Sequence, residues 1–261
     1  SITNRRIKNF CSFLLEENNE AEKVGFVDVG SGGNLKEPWS LIPAEGISKF
    51  EFEPTGTKGV LPLCVSNKSG SAEFFVAVNE RDSSFHQPRA DFIGRYGFEE
   101  MLTKKVISVE CTSLDEYFSG RYQSIDAMDI NVEGHDFQVL QGASQLLDTG
   151  ATKLIKVEFQ LARVYEGQGN FSDIDSLLRE KGFRLAGIQI DDARPRKYKN
   201  IFFKGEPLWG KALYAPNIDD LAKKFALAKA ENESIARREM AVGISLYMAA
   251  KLPSYAYDVI D

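Results

Sequence analysis

Short apolar runs that end in glycine, proline or acid, separated by helical patterns, most restrict what this chain can fold into. Gly25-Phe-Val-Asp-Val-Gly30 reads as a buried strand running into a tight glycine loop. Residues 49–53 form a second strand ended by Pro54, and residues 61–65 are a third apolar run. Residues 72–78 and 106–111 read as β segments around a stretch, 80–105, that the pattern leaves unassigned. Residues 124–132 and 153–159 are further strands, parted by a helical pattern on Phe137, Leu140 and Leu147. Ile7, Phe10, Cys11 and Leu14 recur at helical spacing behind Thr3 or Asn4 as cap. Ser172 and Asp175 read as a capping box before Ile174, Leu177 and Leu178, with Gly182 closing that helix. Residues 183–190 and 200–203 pair as an antiparallel hairpin, and 219–250 is helical with Asp219 as cap. Strands alternating with helices predict an α/β fold: an open, mostly parallel sheet with helices on both faces. Ligands in such sheets bind beyond the carboxyl ends of the strands, at the switch point.

Composition narrows the class further. At 261 residues the chain can bury a core without staples, and 43% hydrophobic with 27% charged residues excludes a disordered or collagenous chain. A net charge of −6 weighs against non-specific nucleic-acid binding. Three scattered cysteines, Cys11, Cys64 and Cys111, favour a reducing compartment, and a cytoplasmic location is expected. No apolar run reaches membrane-span length, and no N-terminal secretory pattern is present.

The glycine loop lacks the dinucleotide fingerprint, because Leu35 stands where the third glycine belongs and Pro38 interrupts the helix that should follow. A short or irregular turn is expected there instead. Glu53 ends the second strand where this architecture places an acid on ribose hydroxyls. Loop and acid together favour a ribose-bearing ligand without a diphosphate. Asp129, Asn131 and Glu133 alternate with Met128, Ile130 and Val132, and Lys156, Glu158 and Gln160 alternate with Ile155, Val157 and Phe159. Alternation puts each polar set on one face. If the strands are neighbours, carboxylates meet near the ligand crevice, and buried charge needs a partner. His135, beside Glu133 at a helix start, is a candidate base, though a structural role is commoner there. The group Asp129, Glu133, His135 and Glu158 includes oxygen ligands for a hard cation, but the spacing does not demand one, and no metal is expected.

Three segments resemble FkbM-type S-adenosylmethionine-dependent methyltransferases: Phe26-Val-Asp-Val-Gly-Ser-Gly-Gly33, Phe50-Glu-Phe-Glu-Pro54, and Ile125-Asp-Ala-Met-Asp-Ile-Asn-Val-Glu-Gly-His-Asp-Phe-Gln-Val-Leu-Gln-Gly-Ala143. Ser83-Ser84-Phe85, Thr112-Ser-Leu-Asp-Glu116 and Tyr165-Glu-Gly-Gln168 add to the match, which spans about residues 24–215. The resemblance implies a class I, Rossmann-like methyltransferase fold with a seven-stranded sheet whose last hairpin carries the antiparallel strand. It implies that the glycine loop, with Gly30, Ser31 and Gly32, holds the methionine part of S-adenosylmethionine, that Asp28 orients that loop and that Glu53 binds the ribose. Ser84 and Asn131 are further cofactor contacts on this reading. Where the family usually has Lys-Ile-Asp-Val-Glu-Gly, this chain has Asp129-Ile-Asn-Val-Glu-Gly134.

The implied activity is O-methylation of a sugar, glycan or secondary metabolite. Glu133 or His135 takes the acceptor's proton, while Asp129 and Glu158 orient the acceptor. Residues 80–105 and 161–170 are expected to shape the acceptor pocket, their arginines (Arg81, Arg89, Arg95, Arg163) either gripping an anion or lying solvated. The rival readings are a cofactor-binding domain with weakened turnover and, behind it, a nucleotide-dependent oxidoreductase. The methyltransferase domain is expected over 1–215 (N-terminal helix 1–20, core 24–215), with a helical extension over 216–261. Apolar Leu221, Phe225, Ile235, Ile244, Leu246 and Tyr247 either pack this tail onto the core, the default, or form a homodimer contact.

Overall fold

The structure is a computed structural model. It describes residues 2–260 apart from 17–22, 31, 33–34, 55–60, 122–123, 200–203, 222, 224–229 and 231. Ser31, the strand expected at 200–203 and Phe225 therefore lie outside the described residues. The strands are β1 (Val24–Val29), β2 (Ile47–Phe52), β3 (Cys64–Val65), β4 (Gly70–Ala77), β5 (Thr103–Thr112), β6 (Ala127–Ile130), β7 (Leu154–Gln160), β8 (Phe183–Ala193) and β9 (Glu206–Pro216). The helices are α1 (Ile2–Glu16), α2 (Ala90–Tyr96), α3 (Leu114–Phe118), α4 (Asp136–Gln141), α5 (Ser144–Asp148), α6 (Phe171–Glu180), α7 (Glu233–Ala249) and α8 (Pro253–Ile260).

The main sheet runs β2-β1-β6-β7-β9-β8. β2, β1, β6 and β7 are parallel, and β9 inserts antiparallel between β7 and β8. The α/β architecture is as expected, but the sheet has six strands among the described residues rather than seven. Among the described residues, the edge beyond β2 carries a parallel bridge from Phe52 to Leu61. The chain then turns away, and β3 pairs with β5 in a separate three-stranded sheet, β3-β5-β4. The antiparallel partner of β8 is β9, downstream of the apolar run at 200–203. β9 alternates buried and half-buried residues over much of its length.

Alternation along the strands divides the core. Val27, Val29, Met128, Ile130, Ile155 and Val157 face α3 to α6 through Leu114, Phe118, Val139, Leu140, Ile174 and Leu178. Val24, Phe26, Ala127 and Leu154 face the other layer: Ile7, Cys11 and Leu15 of α1, Trp39, and Val242, Leu246 and Tyr247 of α7. α1 begins at Ile2, so Thr3 and Asn4 lie inside it, and Asn4 instead donates to Glu37. Its buried stripe is Ile7, Cys11 and Leu15, while Phe10 is exposed. Of the tail's apolar residues, Leu221, Ile244, Leu246 and Tyr247 are buried in the chain's own core and Ile235 faces solvent. Between β1 and β6 the strand order reverses, since the chain leaves β1 outward to β2 and returns on β6. That reversal opens a crevice at the strands' carboxyl ends.

Candidate active site

β1 ends in Gly30, whose φ of +80° few other residues adopt. Its N–H donates to Phe52 O at 3.0 Å and ties the ends of β1 and β2 together. A Cβ at this position would stand 2.0 Å from Asn131 O, so β6 can approach only a glycine. Gly32 also has positive φ, +53°, with open space around it. Beyond the loop two 3-10 turns, Trp39–Leu41 and Ala44–Gly46, lead to β2, and among the described residues no α-helix starts there. The absence of a helix N-terminus agrees with the missing diphosphate fingerprint.

A cleft of about 360 Å³ opens over these strand ends. Val29, Gly30, Gly32, Phe52, Glu53, Asn131 and Glu133 border it from the main sheet, and Leu63, Cys64, Val65 and Phe74 from the second sheet. A second cleft of about 320 Å³ lies beyond Glu133, with Glu158, Gln160, Tyr165, Phe98 and Trp209 on its walls. Asp82 and Glu133 border both clefts.

Glu133 is held in an unusual conformation. Its φ is +49°, uncommon for a residue with a side chain. Asp136 accepts from Val132 N and Gly134 N, each at 3.1 Å, and closes the turn. Ser84 Oγ donates to Glu133 O at 2.6 Å, and Tyr165 Oη donates to Glu133 Oε2 at 3.1 Å. Burial, reinforced by Asp82, pushes the Glu133 carboxyl up to about 7. Burial also raises Asp136 to about 8, and it raises Glu158 well above the usual carboxylate range, with Glu133 and Asp136 adding to the effect. Asp28, buried beside Asp129 and Glu51, is pushed up to about 7, again chiefly by burial.

β6 and β7 are neighbours, and their polar sets meet as the alternation requires. Asp129 pairs with Lys156 at 3.2 Å and accepts from Trp39 Nε1 at 2.6 Å. With its amide turned to donate, Asn131 Nδ2 lies 2.8 and 3.2 Å from the two oxygens of Glu158. Asp28, Asp129, Asn131 and Lys156 also share a small hollow with Lys36 and Lys211.

Two expected site residues stand elsewhere. His135 is outside the linings of both clefts. Its Nε2 is 2.9 Å from Ser66 Oγ, its Nδ1 is 3.0 Å from His86 Nε2, and its ring stacks on Phe85. Burial, helped by His86, lowers it to about 3, so the packed ring is neutral. Ser84 is 1% exposed and bonded to the backbone on both sides, accepting from His86 N at 3.0 Å. It holds the Glu133 turn and does not border the first cleft; its neighbours Ser83 and Phe85 do. Among the described residues no group of three or more His, Cys, Asp or Glu side chains is arranged to hold a metal ion. Arg89 is committed to Asp91 and Glu166, and Arg95 to Glu206, so neither faces the second cleft. Reading the sequence missed Asp82, Trp39, Asp136 and Trp209. Only Asp136, two residues beyond Gly134 at a helix start, carried a local signal as a turn-closing carboxylate.

The first cleft carries both signs of charge, with Lys36 and Arg81 beside Glu53, Asp82 and Glu133. Its volume lies in the range for small-molecule sites. Glycine backbone, the apolar Phe52 and Leu63, and the Glu53 carboxyl line one pocket, and its inner end carries a buried carboxyl with raised proton affinity. Two solved structures are similar over much of their length: magnesium protoporphyrin IX methyltransferase from Synechocystis PCC 6803 with bound SAM and the same enzyme with bound SAH. The first is 14% identical with a TM-score of 0.33, covering 82% of this chain and 79% of that one. The second is 14% identical with a TM-score of 0.30, covering 82% and 83%. No curated protein matches. Residues 43–185, more than half of the chain, match the model of the methyltransferase FkbM domain. Glu53 after β2 and the strand–Glu-Gly–helix corner fall within the matched residues, and the chain belongs to the FkbM methyltransferase family, whose methyl donor is S-adenosylmethionine.

Proposed function

We propose that this chain is an O-methyltransferase acting on a hydroxyl of a sugar, glycan or secondary metabolite. The observation that carries the reading is the meeting of two clefts at Glu133. One cleft is suited to the cofactor and the other to the acceptor. S-adenosylmethionine, when bound, supplies an electrophilic methyl carbon on a sulfonium. Asp28, Gly30, Gly32 and Asn131 would hold its methionine end, and Glu53 would accept from its ribose hydroxyls. Ser31, in the same loop, is carried as a contact on the resemblance alone.

The protein's own work is positioning and proton removal. A hydroxyl attacks well only as its proton leaves. Glu133 faces both clefts and has a proton affinity matched to neutral pH, which fits a general base. Tyr165 fixes one carboxylate oxygen and Ser84 fixes the backbone beneath it. Glu158, anchored by Asn131, orients the acceptor. Asp129 acts through Lys156 and Trp39 and supports the loop without touching substrate. The departures at 129 and 131 are both hydrogen-bonded into the site, which favours a working enzyme over a decayed one. We read 216–261 as an extension serving the core and the cytoplasm as the compartment. Three buried free cysteines agree with a reducing location, and among the described residues no helix is long and apolar enough to cross a membrane.

The test is calorimetry with S-adenosylhomocysteine followed by methyl transfer over a panel of hydroxylated acceptors. Binding in the micromolar range with O-methylated product supports the reading. Absence of cofactor binding removes it, and binding without turnover on any acceptor favours the non-catalytic rival.

A further inference from the structure

The second cleft has a marked chemical bias. Asp82, Glu100, Glu133 and Glu158 border it, and among the described residues no lysine, arginine or histidine does. Lys211 is the cation that bears on Glu133 and Glu158, from β9 opposite Glu158, while Asp191 adds negative charge on the same side. The far wall is aromatic, with Phe98 and Trp209 at 5.5 Å between ring centroids. Gln160, the next residue on that face of β7, borders the same cleft and is 3% exposed. Its Oε1 is buried without a hydrogen-bond partner. A buried acceptor left unmatched is costly, so a ligand that donates hydrogen bonds is favoured there.

Each class of occupant meets this wall differently. A carboxylate or phosphate would raise further the proton affinity of acids that burial already holds high. An uncharged ring would satisfy Gln160 but add no positive charge beside that of Lys211. An ammonium supplies positive charge and donors together, and it is attracted to aromatic faces. We propose that the acceptor is a hydroxylated ring bearing an ammonium group, of the amino sugar class. Its ammonium faces Glu158, Glu100 and the Phe98–Trp209 wall, and its hydroxyl faces Glu133. This inference rests on the methyltransferase reading of the same site.

The test uses the methyl glycosides of glucosamine, glucose and glucuronic acid, titrated against the full chain saturated with S-adenosylhomocysteine. Ligand-observed NMR reads the binding. The glucosamine glycoside is expected to bind about fivefold or more tighter than the glucose glycoside, and the glucuronide weakest. Glu158→Gln and Glu100→Gln should each remove most of that preference. Glu100 is exposed, so its variant reports even if Glu158→Gln folds poorly. Equal binding of the three glycosides, no binding of any, or a preference unchanged in Glu100→Gln overturns the proposal. Displacement of the amine by equimolar magnesium chloride overturns it in favour of a metal ion. Retained S-adenosylhomocysteine affinity in those cases leaves the methyltransferase reading standing, and its loss from the wild-type protein brings both down.

Discussion

At the scale of single residues, the site depends on a few groups held where they are uncomfortable. Glu133 combines a left-handed backbone, a buried carboxyl and acidic neighbours. Strain of this kind persists only where surrounding structure enforces it, and here Asp136, Ser84 and Tyr165 do so. Glu133→Gln keeps the shape and removes the basicity. Turnover should fall by about 10²–10⁴-fold with S-adenosylhomocysteine affinity within about twofold, measured by initial rates and calorimetry. Unreduced turnover would remove Glu133 as the base. Because its carboxyl titrates near 7, kcat/KM of the wild type should fall as pH drops through about 7, and the Gln variant should lose that limb. Glu53→Ala should weaken S-adenosylhomocysteine by about tenfold, through lost hydrogen bonds to a charged group; an unchanged dissociation constant takes Glu53 off the ribose. Gly30, Glu53 and Glu133 were legible as candidates because each follows the end of a strand, and all three border the first cleft. His135 and Ser84 stand outside its lining, because neighbourhood along the chain does not reveal direction. His135 follows Glu133 by two residues, yet the turn at Gly134 sends it towards Ser66 and His86.

At the scale of elements, what was legible is what repeats with a period. β1, β6 and β7 announce themselves as buried runs, and the alternation on β6 and β7 correctly puts Asp129 with Lys156 and Asn131 with Glu158. What was not legible is pairing at a distance. Nothing local says that β3 to β5 leave the main sheet, or that their excursion supplies Leu63, Cys64 and Phe74 as a wall of the cofactor cleft. Helix starts failed for a related reason. α6 begins at Phe171, so Ser172 and Asp175 lie inside it, and the structure caps it with Asn170 and Asp173, two residues before the pair the pattern picked out. Asp173 accepts from Asn170 N at 2.8 Å, while Asp175 instead accepts from Tyr214 Oη at 3.0 Å and pairs with Arg179. Asn170→Ala should therefore cost about 1 kcal/mol in denaturant unfolding and Ser172→Ala near zero. The reverse order would restore the downstream box.

At the scale of the whole molecule, two buried charge systems pull stability in opposite directions with pH. Asp126 lies where β1, β6 and β7 begin. It accepts from Gly25 N at 2.8 Å and pairs with Lys153 at 2.9 Å and with Arg238 of α7 at 2.7 Å. Burial pushes its carboxyl up, but Lys153 and Arg238 outweigh that and hold it below the usual range. Its contribution is present above the unfolded value of about 4 and is lost as pH falls through the lower folded value. Glu133, Asp136, Glu158 and Asp28 are raised instead. Their contribution is complete below about 4 and drains away as pH climbs through about 7 to 8. The ligand-free protein should accordingly melt highest in the mildly acidic range, below neutrality. Glu158→Gln separates the two systems, because it removes one raised acid and leaves Asp126 untouched. Its melting temperature relative to wild type should rise steadily between pH 5 and pH 8, by calorimetry in low salt. The slope, not the offset, is diagnostic. Lost contacts around residue 158 shift every point alike, whereas an unfolded chain that sheds a proton the folded chain keeps produces a difference that grows with pH. A flat difference across that range would mean that Glu158 ionises as easily in the folded protein as in water, and the acidic cleft would then be wet and open instead of poised for a cation.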